Sequence, residues 1–239
     1  MHQKIALVTG SAQGIGLGVA RSLVARGFGV HVVHRSGPAP PELAREFGTG
    51  CVHQADLIAQ EDTRRLVAAV LAADGRLDAV VHAVGPYATA PLSASPPELF
   101  REMLEGNLFT SLHLLAAARA AVRDARGAWV FFGCAGLDRW RARKVTTAYI
   151  AAKSALLVTM RSLALEEAPH GVRVNMISPG FVPHPDAAPD TLDRRLQAEI
   201  PLGRAAEVRE VADAAAWLVS DEATHVVGQN LEVAGGWML

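Results

Sequence analysis

The sequence predicts a single-domain α/β fold, one doubly wound parallel sheet with helices on both faces. Three observations point to it. Short β-branched runs alternate with Ala/Leu-rich stretches of helical period. The strand candidates are continuous apolar runs, and no linker, repeat or low-complexity tract divides the 239 residues. Continuous apolar strands need cover on both faces, which crossover helices provide in a parallel sheet. One large α/β domain over 1–239 fits this length.

The elements follow in order. KIALVT (4–9) is the first strand, and 14–27 has helical period. VHVVH (30–34) is the second; the Pro-rich GPAPP (37–41) separates it from a short helix at 41–47. CVHQA (51–55) precedes a helix at 61–73, and DAVVHAV (78–84) precedes a long one at 97–124. AWVFF (128–132) is followed by 147–168, and VRVNMIS (172–178) by 207–220. NLEVAG (230–235) closes the sheet. The second Pro-rich piece, PHPDAAP (183–189), falls just after a strand end, where such folds bind ligands, and is expected to cover a substrate.

Composition excludes several classes of function. Half the residues are hydrophobic, a fifth are charged and the formal net charge is -1, so no field favours nucleic acid or an anionic membrane. The start, MHQKIALVTG, shows no signal-peptide pattern and no apolar run reaches the roughly 18 residues of a membrane span, so a cytoplasmic protein is expected. Cys51 and Cys134 lack CxxC spacing and read as buried free thiols. The nine histidines form no HExxH or Cys/His pattern, so no metal site is expected.

TGSAQGIG (9–16) joins the first strand to the first helix, which identifies a Rossmann-type dinucleotide loop. Gly10 permits a tight turn, Gly14 lets the backbone approach a pyrophosphate, and Gly16 allows close helix packing; the helix start offers free N–H groups to phosphate. The end of the second strand, where such folds read the cofactor ribose, carries His34, Arg35 and Ser36 and no acid. A guanidinium and a hydroxyl there favour the 2′-phosphate of NADP(H). Asp56, closing the third strand beside Leu57, is placed to accept from the adenine amino group.

Tyr149 and Lys153 stand at i and i+4 of one predicted helix and therefore face the same way. A free phenol, with a pKa of about 10, holds its proton too tightly to shuttle it at neutral pH, and an adjacent ammonium lowers that pKa. Asn107 follows Gly106 on the apolar stripe of the 97–124 helix. That glycine can open the helix locally and leave a carbonyl for water.

With these landmarks in order over essentially the whole chain (TGSAQGIG, Asn107, YIAAK at 149–153, NMISPG at 175–180 and VAGGWML at the end), the sequence resembles the short-chain dehydrogenase/reductase family. EGNL around Asn107 is similar to 3-oxoacyl-carrier-protein-reductase-like members, whereas HRS (34–36) and HAVGPYATAPL (82–92) are similar to pteridine reductases. The resemblance implies hydride transfer to a carbonyl, Tyr149 as proton donor, Lys153 on the nicotinamide ribose, and Asn107 in a water-mediated relay. It further implies cofactor contacts from Ser11, Gln13, Ile15, Leu57, Ala83, Gly85, Pro179, Gly180 and Val182. A homotetramer is implied too, with the helices 97–124 and 147–168 at one interface and VAGGWML near another.

The chain departs from the family at several places. The family's Ser after the fifth strand is replaced by Cys134, two residues too far from Tyr149, while Gly136 stands at the usual separation. An insertion within LDRWRARKVTT accounts for the offset and puts Cys134 in the Ser position; Asp138, Thr146 and Thr147 are the other candidates. His184 replaces the Thr that usually follows the Pro-Gly pair. HAVG (82–85) replaces NNAG, so His82 inherits part of the bracing of the central strand. WRARK (140–144) reads as a solvated or subunit-contact loop, with reception of a phosphate or an acidic carrier protein as the functional alternative. The expected activity is NADPH-dependent reduction of a 3-oxoacyl thioester or related ketone, on a small-molecule or carrier-bound substrate. A pteridine-type C=N substrate and an NADP(H)-binding sensor with little catalysis are the alternatives.

Overall fold

The computed structural model describes residues 2–139, 141–183 and 198–238. Seven strands form one parallel sheet: β1 (Ile5–Thr9), β2 (Gly29–His34), β3 (Val52–Gln54), β4 (Ala79–His82), β5 (Ala128–Phe132), β6 (Arg173–Pro179) and β7 (Asn230–Val233), in the order β3-β2-β1-β4-β5-β6-β7. The chain turns outward in both directions from the β1/β4 pair, which leaves a crevice at the carboxyl ends of those strands. All five residues of β1 and of β5 are buried, as expected of strands covered on both faces.

The α-helices among the described residues are α1 (Gly14–Ala25), α2 (Pro41–Phe47), α3 (Gln60–Asp74), α4 (Pro97–Leu104), α5 (Thr110–Asp124), α6 (Thr147–Glu167) and α7 (Val208–Val219). On one face, Leu66 and Val70 of α3, Leu114 of α5 and Leu156 of α6 pack against Leu7, Val80 and Trp129. On the other, Val19 and Leu23 of α1 and Val211 and Ala215 of α7 cover Val8, Val81 and Val130. A β-carbon on Gly18 would stand 2.6 Å from Val208 Cγ1, so the glycine sets how closely α1 and α7 approach.

The expected 97–124 helix is continuous in direction but not in winding. Between α4 and α5, Glu105–Phe109 form one wide π turn. A β-carbon on Gly106 would lie 2.4 Å from Pro86 Cδ, so only glycine lets the loop after β4 cross the helix here. The wide turn leaves carbonyls without their usual partners; Thr110 Oγ1 donates to Gly106 O at 2.9 Å and Ser111 Oγ to Asn107 O at 3.1 Å.

His82 takes up the bracing role its position suggests. Fully buried at the end of β4, it bonds Thr9 Oγ1 of β1 through Nδ1 at 2.7 Å and Thr110 Oγ1 of α5 through Nε2 at 3.1 Å. A second, half-buried network ties β2 to β3 and α3: His31 Nδ1 meets His53 Nε2 at 2.7 Å, and His31 Nε2 meets Asp74 Oδ2 at 2.6 Å.

Burial, with the positive charge of Lys153 adding to it, lowers the His82 pKa to about 3; burial, with His31 nearby, lowers that of His53 to about 4. Both rings are neutral in the fold, whereas the unfolded chain takes up protons below about pH 6.5. Their contribution is therefore complete above that pH and is lost as pH falls toward 4 and then 3. Urea unfolding followed by circular dichroism should show stability falling by roughly 1–3 kcal/mol between pH 6.5 and 4. His53→Gln should flatten that fall, and an unchanged slope in the variant would show that His53 does not titrate this way.

Candidate active site

The loop between β1 and α1 is built by its glycines. Gly10 has φ +69°, and a β-carbon on it would lie 2.5 Å from Ala83 O; one on Gly16 would lie 2.1 Å from Gly10 O. The loop therefore folds onto both itself and the end of β4. Gly14, with φ +57°, differs in that a β-carbon would meet nothing within 4 Å, so its backbone faces open space at the start of α1. This is the shape a pyrophosphate needs. The Ser11 hydroxyl is committed inside the protein, donating to Val8 O at 2.6 Å and accepting from Val33 N at 2.8 Å, so only its backbone is left to face a ligand. Gln13 O accepts from Leu17 N at 3.3 Å.

At the end of β2, His34 is buried and its Nδ1 has no hydrogen-bond partner, while Arg35 and Ser36 are exposed. Arg35 forms no ion pair among the described residues, leaving its guanidinium available to an anion. Asp56 is half-buried; its Oδ1 accepts from Ile58 N at 3.1 Å, which closes the turn into α3. The Leu57 side chain belongs to the core, and its carbonyl meets His113 Nδ1 at 3.0 Å.

A cleft of about 580 Å³ opens at the carboxyl ends of β1, β4, β5 and β6. Ile15, Ala83 and Gly85 line it beside the glycine loop; Pro179, Gly180 and Val182 line it after β6; Cys134, Arg143, Thr146, Tyr149 and Lys153 stand in the polar wall. Another cavity, of about 430 Å³, lies at the amino ends of β1, β4, β5 and β6. Of its charged groups, Lys4 pairs with Asp221, Asp78 with Arg76, and Arg173 with the carbonyls of Leu218, Ser220 and Ala223.

Lys153 is 3% exposed and donates from Nζ to Phe132 O at 2.7 Å, with Nζ 5.7 Å from the centre of the Tyr149 ring. Burial lowers its pKa to about 8, which leaves it mostly charged at pH 7. For Tyr149, burial dominates and, with Cys134 and Tyr87 nearby, raises the phenol pKa. Burial, rather than the lowering expected of Lys153, sets the phenol in this arrangement, and it keeps its proton.

Asn107 is fully buried in the π turn, with Nδ2 donating to Met103 O at 2.9 Å and Pro86 O at 3.1 Å, and Oδ1 unpartnered. A β-carbon on Gly85 would lie 2.2 Å from that Oδ1 and 3.1 Å from Lys153 Nζ. Gly85 thus separates a lone buried acceptor from a buried ammonium. Buried acceptors rarely go unpaired, and the gap is small enough for one water to bridge the two groups.

The four candidates for the missing hydroxyl separate clearly. Cys134 lines the cleft; burial outweighs Lys153 and Arg143 and raises its thiol pKa, which keeps it an S–H donor and not a thiolate. Thr146 lines the same wall and pairs with Ala90. Thr147 Oγ1 donates to Arg143 O at 3.3 Å as the first turn of α6 begins. Asp138 is held by Arg161 and Asn230, with Asn230 Nδ2 at 2.6 Å, and does not line the cleft. Of the Pro-rich loop, His184 and everything through 197 lie outside the described residues, as do Trp140 of WRARK and the final Leu239.

Three lining residues are not among the expected site residues: Tyr87, whose ring meets Tyr149 edge-on at 5.0 Å and 81°, Trp237 near the C-terminus, and Arg143, whose WRARK segment reads as a solvated or subunit-contact loop with anion reception as the alternative. Tyr87 and Trp237 belong to motifs recognised for other reasons, and only loop closure brings them to the cleft. Among the described residues no group of three metal ligands is found.

Comparisons with known proteins agree with this geometry. A family model described as Enoyl-(Acyl carrier protein) reductase matches residues 10–238. The chain is 34% identical to L-fucose dehydrogenase of Mus musculus over 98% of this chain and 88% of that one. It is 30% identical to the 3-oxoacyl-[acyl-carrier-protein] reductase FabG of Salmonella typhimurium over 98% and 96%. Among solved structures, a blue fluorescent protein from a metagenomic library in complex with NADPH superposes with a TM-score of 0.90 at 27% identity, covering 99% of this chain and 98% of that one.

Proposed function

Because the chain belongs to the short-chain dehydrogenase/reductase family of oxidoreductases, we propose that its cleft binds NADP(H) and reduces a carbonyl, a 3-oxoacyl thioester or related ketone. The observation that carries this reading is the meeting of a buried Lys153 ammonium and the unpartnered Asn107 Oδ1 at Gly85, with the protonated Tyr149 ring 5.7 Å from that ammonium in the same cleft. The residues present fit the cofactor: Gly14 leaves room for a pyrophosphate, and Arg35 and Ser36 offer an unpaired cation and a hydroxyl where a 2′-phosphate would lie.

NADPH supplies the hydride. Tyr149 Oη holds the proton that the carbonyl oxygen takes, and the Lys153 ammonium stabilises the phenolate left behind. Cys134 S–H, with Thr146 on the same wall, orients the carbonyl as a weaker donor than the usual Ser. Asn107 Oδ1 and Lys153 Nζ hold a water that returns a proton to Tyr149. The relatives' names support both directions of this chemistry, reduction of a 3-oxoacyl group and dehydrogenation of a sugar. The outer face of α6, with Val158 62% and Leu165 80% exposed, supports a homotetramer. A cytoplasmic location is part of the same reading.

The test is a carbonyl panel assayed with NADPH and NADH side by side. NADPH should be preferred, and Arg35→Ala should lower the preference about 10- to 100-fold through loss of a charge-assisted contact to the 2′-phosphate. A native preference for NADH would remove Arg35 from this role.

A further inference from the structure

The part of the cleft beyond the glycine loop contains a cation that the carbonyl chemistry leaves unused. Arg143 lines the wall beside Cys134. Its Nη2 donates to Gly136 O at 3.2 Å and Ala135 O at 3.5 Å, Nη1 touches Met238 Sδ at 3.8 Å, and Nε is buried without a partner. Among the described residues no carboxylate pairs with Arg143, and no Asp or Glu lines the cleft. Glu232, the acid nearby, accepts from Gly136 N at 2.8 Å. The other cation in the wall, Lys153, is bonded to Phe132 O.

A guanidinium stays charged at all ordinary pH values and presents five donors in a fixed fork. Held in a half-buried wall without a counter-ion, it is matched to an anion that arrives with the substrate. Resting on the reductase reading of this cleft, we infer that the carbonyl substrate is an oxo acid whose carboxylate pairs with Arg143 while its carbonyl meets Tyr149 and Cys134. A carboxylate fits better than a phosphate. One guanidinium offers one charge, and the carbonyls of Ala135 and Gly136 beside it would repel a second negative charge. Tyr87 and Trp237 supply aromatic walls for the rest of the molecule. In turnover the keto carbon gains a hydride, its oxygen gains the Tyr149 proton, and the products are a hydroxy acid and NADP⁺.

The test uses the whole chain and one matched pair of probes, phenylglyoxylate and its methyl ester. Each is titrated calorimetrically into the NADP⁺-loaded protein and assayed for NADPH oxidation. The acid should bind, and be turned over, on the order of 10- to 100-fold better than the ester. Arg143→Gln should bring the acid-to-ester ratio close to one, and Arg143→Lys should keep part of it. Equal binding of acid and ester by the native protein overturns the inference without any variant, as does a ratio unchanged in Arg143→Gln. Arg143-dependent binding of the acid with no oxidation of NADPH upholds the carboxylate site and overturns the reductase reading.

Discussion

Tyr149→Phe is expected to lower NADPH-dependent turnover of any accepted carbonyl by at least 10²- to 10⁴-fold, the usual scale for loss of a positioned proton donor. The substitution removes only an oxygen. The Tyr149 hydroxyl has no hydrogen-bond partner among the described residues, while its ring packs edge-on against Tyr87 and lies beside Met103, Ala148 and Ala152. Phe keeps that packing, so the unfolding midpoint should move little. Burial keeps the phenol protonated in this structure, and the donor is therefore loaded before the carbonyl arrives. Turnover retained within a few-fold, measured by NADPH absorbance with cofactor binding confirmed by titration, would mean that the proton comes from elsewhere.

Lys153→Met is expected to have an effect of similar size and a different signature. The ammonium is buried, 5.7 Å from the centre of the Tyr149 ring, and is the charge available to hold a phenolate there. Its pKa of about 8, set by burial, predicts the pH profile. As pH rises through about 8 the amine becomes neutral and loses its hold on the phenolate, so carbonyl reduction should fall on the alkaline side with an inflection near that value. The profile to examine is kcat/KM for NADPH, which reports on the free protein. In Lys153→Met the loss should be about 10²- to 10⁴-fold, and whatever activity is left should lack that inflection. An inflection that persists in the variant would belong to another group.

Most of the fold was legible because it rests on local signals. Continuous apolar runs gave all seven strands, and helical period gave the helices between them, with small differences at the ends. α1 stops at Ala25, short of 27, since Gly27 turns the chain with φ +84°. β4 ends at His82, short of Val84, where Ala83, Gly85 and Pro86 leave the sheet for the cleft. The π turn at Glu105–Phe109 was legible only as a glycine able to open a helix. Its cause is Pro86, whose contact with Gly106 is created by tertiary packing.

The site divides in the same way. Tyr149 and Lys153 share a helical face through local spacing alone, and the glycine loop carries its own geometry. Arg143, Tyr87 and Trp237 meet through the closure of separate loops, which no periodicity encodes. The hydrogen bond from the Lys153 ammonium to Phe132 O depends on a strand distant in sequence. That distance also hid the His31, His53 and Asp74 network, whose members come from β2, β3 and α3. The offset at Cys134 was visible as a misfit, and its resolution required the cleft: the thiol stands in the polar wall, whereas Asp138 is tied to Arg161 and Asn230.

The central claim, that this cleft moves a hydride from NADPH to a carbonyl, is tested most directly by running the carbonyl panel with NADPH carrying deuterium at both nicotinamide C4 positions and analysing products by mass spectrometry. The native protein should place one deuterium on the carbinol carbon of the product, and Tyr149→Phe should lose most of that product. NADPH bound by the native protein with no deuterium delivered to any carbonyl in the panel would contradict that claim.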